Sequence, residues 1–270
     1  MSFFDNVKKE FSSNIREYGM YIALFVIMAI FTITTNGLFI SSRNISNLLN
    51  QTGYIAVLAV GMTLVIVVRH IDLSVVAVIP LVLALGVLAG MITALLVAQL
   101  KIPSFVASLA GMLVYRGMIL LVTAGTGTII IPNPAFNAIG NGYIPDIEVI
   151  PGVHNLTLLL GVVMIVFFII GQLNDRRKKL SYNFVVLPMD MFIFKLVFVS
   201  ALVGAITWVL AGYNGLSWTV VVVLVVTAIY HFVTTQTVLG RHIYAIGGNP
   251  EAAELSGIRV KNLIYVVFGS

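Results

Sequence analysis

The sequence predicts an all-α, polytopic bundle of transmembrane helices, about seven of them within its 270 residues. Three observations carry this. First, 60% of the residues are hydrophobic and only 9% are charged, against roughly 25% in an ordinary soluble domain. Second, the mean hydropathy is +1.07, which leaves too little polar surface to cover a soluble core. Third, the apolar residues fall in runs long enough to cross a bilayer, which takes about 20 residues as a helix. A soluble globular enzyme, a disordered chain and a nucleic-acid-binding domain are excluded on these grounds. With no cysteine, the chain has no disulfide, thiolate metal site or redox dithiol.

The first apolar run is Gly19 to Ile40. It follows a charged, amphipathic start with Asp5, Lys8, Lys9, Glu10, Arg16 and Glu17. A signal peptide has a shorter apolar run and a small-residue cleavage site, so an uncleaved first span is expected. The second run is Leu48 to Val68, with Gln51 and Thr52 near its start. The third is Val75 to Ala98, carrying Pro80, Gly86 and Gly90. The fourth is Ser104 to Ala124 and contains Arg116. Gly125 to Asn155, with Pro132, Pro134, Pro145 and Pro151, reads as loop. The fifth span is Leu156 to Gly171, the sixth lies within Phe184 to Leu210, and the seventh within Trp218 to Val233. A last apolar stretch near Leu263 is too short to cross. The runs do not alternate as barrel strands do. They are helices, because lipid offers backbone groups no partner.

Basic residues set the orientation. Arg176, Arg177, Lys178 and Lys179 are expected inside, with the segment Thr234 to Asn262 that carries Arg241, Arg259 and Lys261. The loop Gly125 to Asn155 and the turn Gly212 to Ser217 hold no Lys or Arg and are expected outside. Counting back puts Lys101 inside. Lys8, Lys9 and Arg16 put the N-terminus inside as well, yet three runs lie between them. Either Val75 to Ala98 is re-entrant or one crossing is absent.

Catalytic signatures are missing. There is no G-x-x-x-x-G-K-[ST], no H-E-x-x-H and no G-x-S-x-G. The histidines (His70, His154, His231, His242) are scattered, so no metal site is expected. Asp72, Arg116, Asp190 and Lys195 lie near predicted span ends, where charged groups snorkel or cap.

The segment Gly247 to Ile258 reads as a short cytoplasmic helix. Asn249 is its N-cap and Pro250 its first residue. Glu251 puts negative charge in the first turn, and Gly257 is a left-handed stop. So short a helix is unstable alone and must dock. Ala252, Ala253 and Leu255 offer an apolar surface for a partner groove. Glu251 and Glu254 are expected against basic groups at its rim.

At this point the sequence resembles a family. Gly240 to Ile258 (GRHIYAIGGNPEAAELSGI) is similar to the cytoplasmic loop of ribose-, xylose- and galactose-type permease subunits of bacterial ABC importers. Asn44 to Leu49, Leu58 to Thr63, Ile71 to Val75, Lys101 to Phe105, Leu109 to Met112 and Tyr115 to Gly117 match in family order. Ala211 to Gly215 looks like the xylose or multiple-sugar branch. Two features depart from the family. A helix of roughly 20 residues expected after Val75 is absent near positions 75–76, which would repair the crossing count. His70 stands where the family usually has Gly. The family also continues past Ser270, to about ten spans. The whole chain, 1–270, is accordingly expected to be one permease domain lacking that helix and the C-terminal ones.

The resemblance implies a permease subunit that moves a monosaccharide across the bacterial inner membrane and performs no bond chemistry. It implies a second permease copy in a homodimer, an ATPase subunit and a periplasmic or lipid-anchored sugar-binding protein, in contact with membrane lipids and not with nucleic acid. ATP and Mg would bind the ATPase, and no cofactor this chain. Asn249, Pro250, Glu251, Ala252, Ala253, Glu254, Leu255, Ser256 and Gly257 would couple to the ATPase. Gln51, Thr52 and Asn214 are the candidate substrate-pathway residues. A secondary sugar transporter or facilitator is the alternative; it would need buried carboxylates or broken-helix ion sites.

Overall fold

Helices follow the apolar runs but do not stop where the runs stop. The computed structural model describes residues 15–70, 81–125, 133–147 and 149–270. Among them are α1 (Ile15–Thr34), a 3-10 turn (Leu38–Ile40), α2 (Ser42–Val67), α3 (Leu81–Ala98), α4 (Ser104–Thr123), α5 (Pro134–Asn141), α6 (Asn155–Ser181), α7 (Met189–Ala211), α8 (Trp218–Gln236), α9 (Val238–Gly248), α10 (Pro250–Leu255) and α11 (Val260–Phe268). The described residues contain no strand, and one isolated bridge joins Tyr143 to Ser217. Helices α2, α4, α6, α7 and α8 are long and apolar enough to cross a membrane; α1 and α3 add shorter apolar stretches. Their apolar faces are mostly exposed, as expected of helices solvated by lipid or by further protein. The absent crossing expected near positions 75–76 falls outside the described residues, with Asp72 and Pro80.

Two helix boundaries differ from expectation for physical reasons. Helix α2 begins at Ser42, six residues before the apolar run, because the Ser41 hydroxyl accepts from the Asn44 amide at 3.4 Å. Helix α6 runs ten residues past Gly171, through Arg176 to Lys179. Charge ends an apolar run without ending a helix, and Lys178 and Lys179 in the last turn favour its dipole. The predicted loop Gly125 to Asn155 contains α5, and the predicted loop after α8 contains α9.

The chain divides into two compact units, residues 1–49 with 142–218 and residues 50–141 with 219–270. In the first, α6 packs on α7. A Cβ at Gly161 would run into the Thr207 side chain, so the glycine admits close approach. Polar ties reinforce the pair. Lys195 Nζ donates to Gln172 Oε1 at 2.9 Å, Arg176 Nη1 donates to the Leu187 carbonyl at 2.7 Å, and the Arg176 guanidinium lies 4.7 Å from the Phe192 ring centre. The two segments expected outside also meet here. The Ile144 amide donates to the Leu216 carbonyl at 3.0 Å and the Trp218 amide to the Gly142 carbonyl at 3.1 Å.

In the second unit the core gathers Leu64, Val65 and Val68 of the α2 end, Ala94, Val97 and Ala98 of the α3 end, and Ala107 of α4. Ile243 and Ile246 of α9, Ala253 of α10, and Leu263, Ile264, Val267 and Phe268 of α11 complete it. The C-terminal ends of α2 and α3 share this cluster, so Arg69 and Lys101 lie at the same end. Helix α11 crosses α3 at Gly90, where a Cβ would run into the Phe268 carbonyl.

Candidate functional site

The site is built around α10. Thr237 starts α9 only one residue after α8 ends, its hydroxyl accepting from the Gly240 amide at 3.2 Å. Leu239, Ile243 and Ile246 follow at helical spacing, and Ile243 and Ile246 are fully buried. At the far end Gly247 meets α2 backbone to backbone: a Cβ there would run into the Val67 carbonyl. This close approach is why a helix continues through Gly247-Gly248, a pair that otherwise reads as a breaker.

Asn249 then turns the chain into α10. Its Oδ1 accepts from the amides of Glu251 at 3.0 Å and Ala252 at 3.1 Å, satisfying two orphan donors. Pro250 is the first residue. Seven residues on, Gly257 adopts φ +85°, and the Ile258 amide donates back to the Ala253 carbonyl at 3.0 Å. The capping read from the sequence is therefore present residue by residue. Of the expected surface, Ala252 and Leu255 are exposed and Ala253 is not. Ala253 is 4% exposed and belongs to this chain's own core, whereas Leu255 is 90% exposed. Ala253 cannot line a partner's groove, because its methyl already packs beneath α10. Glu251, Ala252, Glu254, Leu255 and Ser256 face solvent. Among the described residues neither glutamate joins an ion pair. A cleft of about 320 Å³ beside the helix exit is lined by His242, Gly257, Ile258, Arg259, Asn262, Leu263 and Val266.

Sequence reasoning passed over Arg69. Its Nε donates to the Gly247 carbonyl and its Nη2 to the Gly248 carbonyl, each at 2.7 Å. The guanidinium thus caps the C-terminus of α9, where cations are favoured. Arg69 has φ +65°, a geometry usually left to glycine. The family departure at position 70 lies beside this left-handed residue, not on it. The His70 ring rests 5.7 Å from the Phe268 ring, and desolvation lowers its pKa. A lone Arg at the end of an apolar run was the available signal for the clasp.

Gln51 and Thr52 are exposed on α2; Asn214 is exposed in the turn after α7, in the other unit. Neither cleft described here is lined by them. The second cleft, about 540 Å³, lies along Asp146, Val149 to His154 and Tyr213. Among the described residues no cluster of His, Asp or Glu could hold a metal ion.

Comparison with known proteins agrees with this architecture. Residues 74–270 match the family described as branched-chain amino acid transport system / permease component. The xylose transport system permease protein of Haemophilus influenzae is 37% identical over 280 residues, an alignment covering 95% of this chain and 72% of that protein. The xylose transport system permease protein of Escherichia coli K12 is 33% identical over 279 residues, covering 95% and 69%. The ribose import permease protein of Haemophilus influenzae is 29% identical over 276 residues, covering 93% and 64%. No solved structure matches the chain. The family match takes in most of the sequence and the xylose permeases align along nearly all of it: the chain belongs to this family of transport-system permease components.

Proposed function

We propose that this chain is the membrane-spanning permease of an ATP-driven monosaccharide importer, with xylose as substrate, and that α10 docks it to the ATPase. The carrying observation is α10 itself, in a chain 37% identical to a xylose permease. A doubly capped helix, held from beneath by Ala253, presents Glu251, Glu254 and Leu255 to solvent at the end where Arg69, Arg241, Arg259 and Lys261 collect. The ATPase would carry ATP and Mg, an external binding protein would deliver the sugar, and a second permease copy would complete the pathway. The basic end, and the N-terminus with it, would face the cytoplasm. ATP-driven closure would press on α10 and switch the paired permeases between two packed arrangements.

The family description names branched-chain amino acids, whereas the relatives aligned along this chain are named for sugars. The test is uptake by proteoliposomes holding the native complex, with D-xylose, D-ribose, D-allose and L-leucine as probes. ATP-dependent uptake of D-xylose is expected. Leucine uptake in place of sugar would overturn the substrate. Sugar uptake that ignores ATP would overturn the importer in favour of a facilitator.

A further inference from the structure

We infer that Arg69 is the positioning residue through which movement of α10 is passed to the transmembrane helix α2. This rests on the docking role proposed for α10. Arg69 belongs to two helix ends at once. Its backbone closes α2: the Arg69 amide donates to the Ile66 carbonyl at 2.9 Å and the His70 amide to the Val65 carbonyl at 3.0 Å. This is the paired ending in which the left-handed residue is usually glycine. Its side chain closes α9, on the two carbonyls directly before the Asn249 cap of α10. A glycine would end α2 with less strain, so ending α2 does not explain an arginine here. The clasp on α9 does.

The other ties between the α9–α10 junction and α2 are apolar or steric. Ile243 and Ile246 pack in the cluster with Val65 and Val68, and Gly247 abuts the Val67 carbonyl. Such contacts resist compression but allow sliding and lifting. A guanidinium fork fixes direction as well as distance, so it can pull α2 as well as push it. With the fork in place, α9, the α10 cap and the α2 end move as one body.

The test uses the native complex in proteoliposomes. The chain has no cysteine, so cysteines introduced at Ile66, 58% exposed on α2, and at Tyr244, 55% exposed on α9, can carry the spin labels away from the docking face. The variants are Arg69→Gly, which keeps the left-handed turn but loses the fork, and Arg69→Lys, which keeps the charge but cannot fork. In the parent, one narrow distance should persist with and without ATP and vanadate. In Arg69→Gly the narrow distribution should be lost, and D-xylose uptake per ATP hydrolysed should fall about ten-fold, the size of a typical coupling free energy. Arg69→Lys should fall between the two. A merely structural Arg69 would lower the melting temperature and leave the uptake-to-ATP ratio at the parent value, which would overturn the inference. So would a broad distribution in the parent. Should Arg69→Gly not assemble, Arg69→Lys carries the same two outcomes. Leu255→Asp is the control: if it retains the ATPase at parental yield, the docking reading has failed. If it sheds the ATPase while Arg69→Gly behaves as parent, only the clasp has failed.

Discussion

Ala253 and Leu255 stand two residues apart on one short helix, the first 4% exposed and the second 90%. The helix thus has an inner face that belongs to this chain and an outer face that does not. Substitutions on the two faces should separate stability from assembly. Ala253→Trp forces a large side chain into the cluster of Ile243, Ile246 and Phe268. Overpacking of this kind costs about 1–3 kcal/mol or more, and the melting temperature in detergent should fall. Leu255→Asp alters an exposed position, where the cost is typically within about 0.5 kcal/mol, so melting should hold while ATPase co-purification drops. Equal melting for the two variants would refute this division.

The capping geometry makes a graded prediction. Asn249→Ala removes the acceptor for two amides and should cost about 1 kcal/mol, with faster hydrogen exchange at Glu251 and Ala252. Asn249→Asp keeps the oxygen and should exchange like the parent. Gly257→Val places a branched side chain at φ +85°, for about 1–2 kcal/mol or more. If Asn249→Ala leaves both amides as protected as before, the cap is idle.

Most helices could be read from apolar runs, since lipid leaves the backbone one economical solution. The caps of α10 could be read too, because Asn-Pro-Glu and a trailing Gly act locally. What stayed hidden depends on distant partners. Helix α9 was obscured by Gly240, Gly247 and Gly248, low-propensity residues that tertiary packing overrides. The burial of Ala253 could not be read from α10 alone, because it depends on α9 and α11 arriving beneath it. Arg69 was hidden likewise: its partners lie 178 and 179 positions away. The substrate pathway stayed illegible, since polar span-end residues such as Gln51 and Asn214 carry no spacing rule.

The proposed orientation predicts opposite labelling of two single cysteines. Asn141→Cys, at the end of α5, should react with a membrane-impermeant maleimide in intact cells with a permeabilised outer membrane. Glu254→Cys should react only after lysis. Both positions are exposed, so failure to label would not reflect burial. The reverse pattern would invert the protein and remove α10 from any cytoplasmic partner.

Acid should release the loop at Asp146. Its Oδ1 accepts from the Leu156 amide at 2.9 Å and lies 3.4 Å from His154 Nδ1. Desolvation pushes the carboxyl up, but the amides of Leu156, Ile147 and Asn155 bring it below its ordinary value. A lowered pKa means that the folded state binds its proton less readily than the unfolded chain. The stabilisation is therefore complete above the ordinary carboxylate pKa and is lost as pH falls through the lowered one. His154 caps the start of α6. Its Nδ1 accepts from the Thr157 amide at 3.3 Å and lies 2.9 Å from Thr157 Oγ1. Thr157 Oγ1 itself accepts from the Leu216 amide at 2.9 Å, so the hydroxyl proton points to Nδ1. Nε2–H is then free to donate to the Ile144 carbonyl at 3.0 Å. Hydrogen exchange at Leu156, as the ratio of Asp146→Ala to parent, reads the contact directly. The ratio should be well above one at neutral pH and approach one once the parent's carboxyl is protonated. A ratio of one at neutral pH would mean that Asp146 does not hold the start of α6.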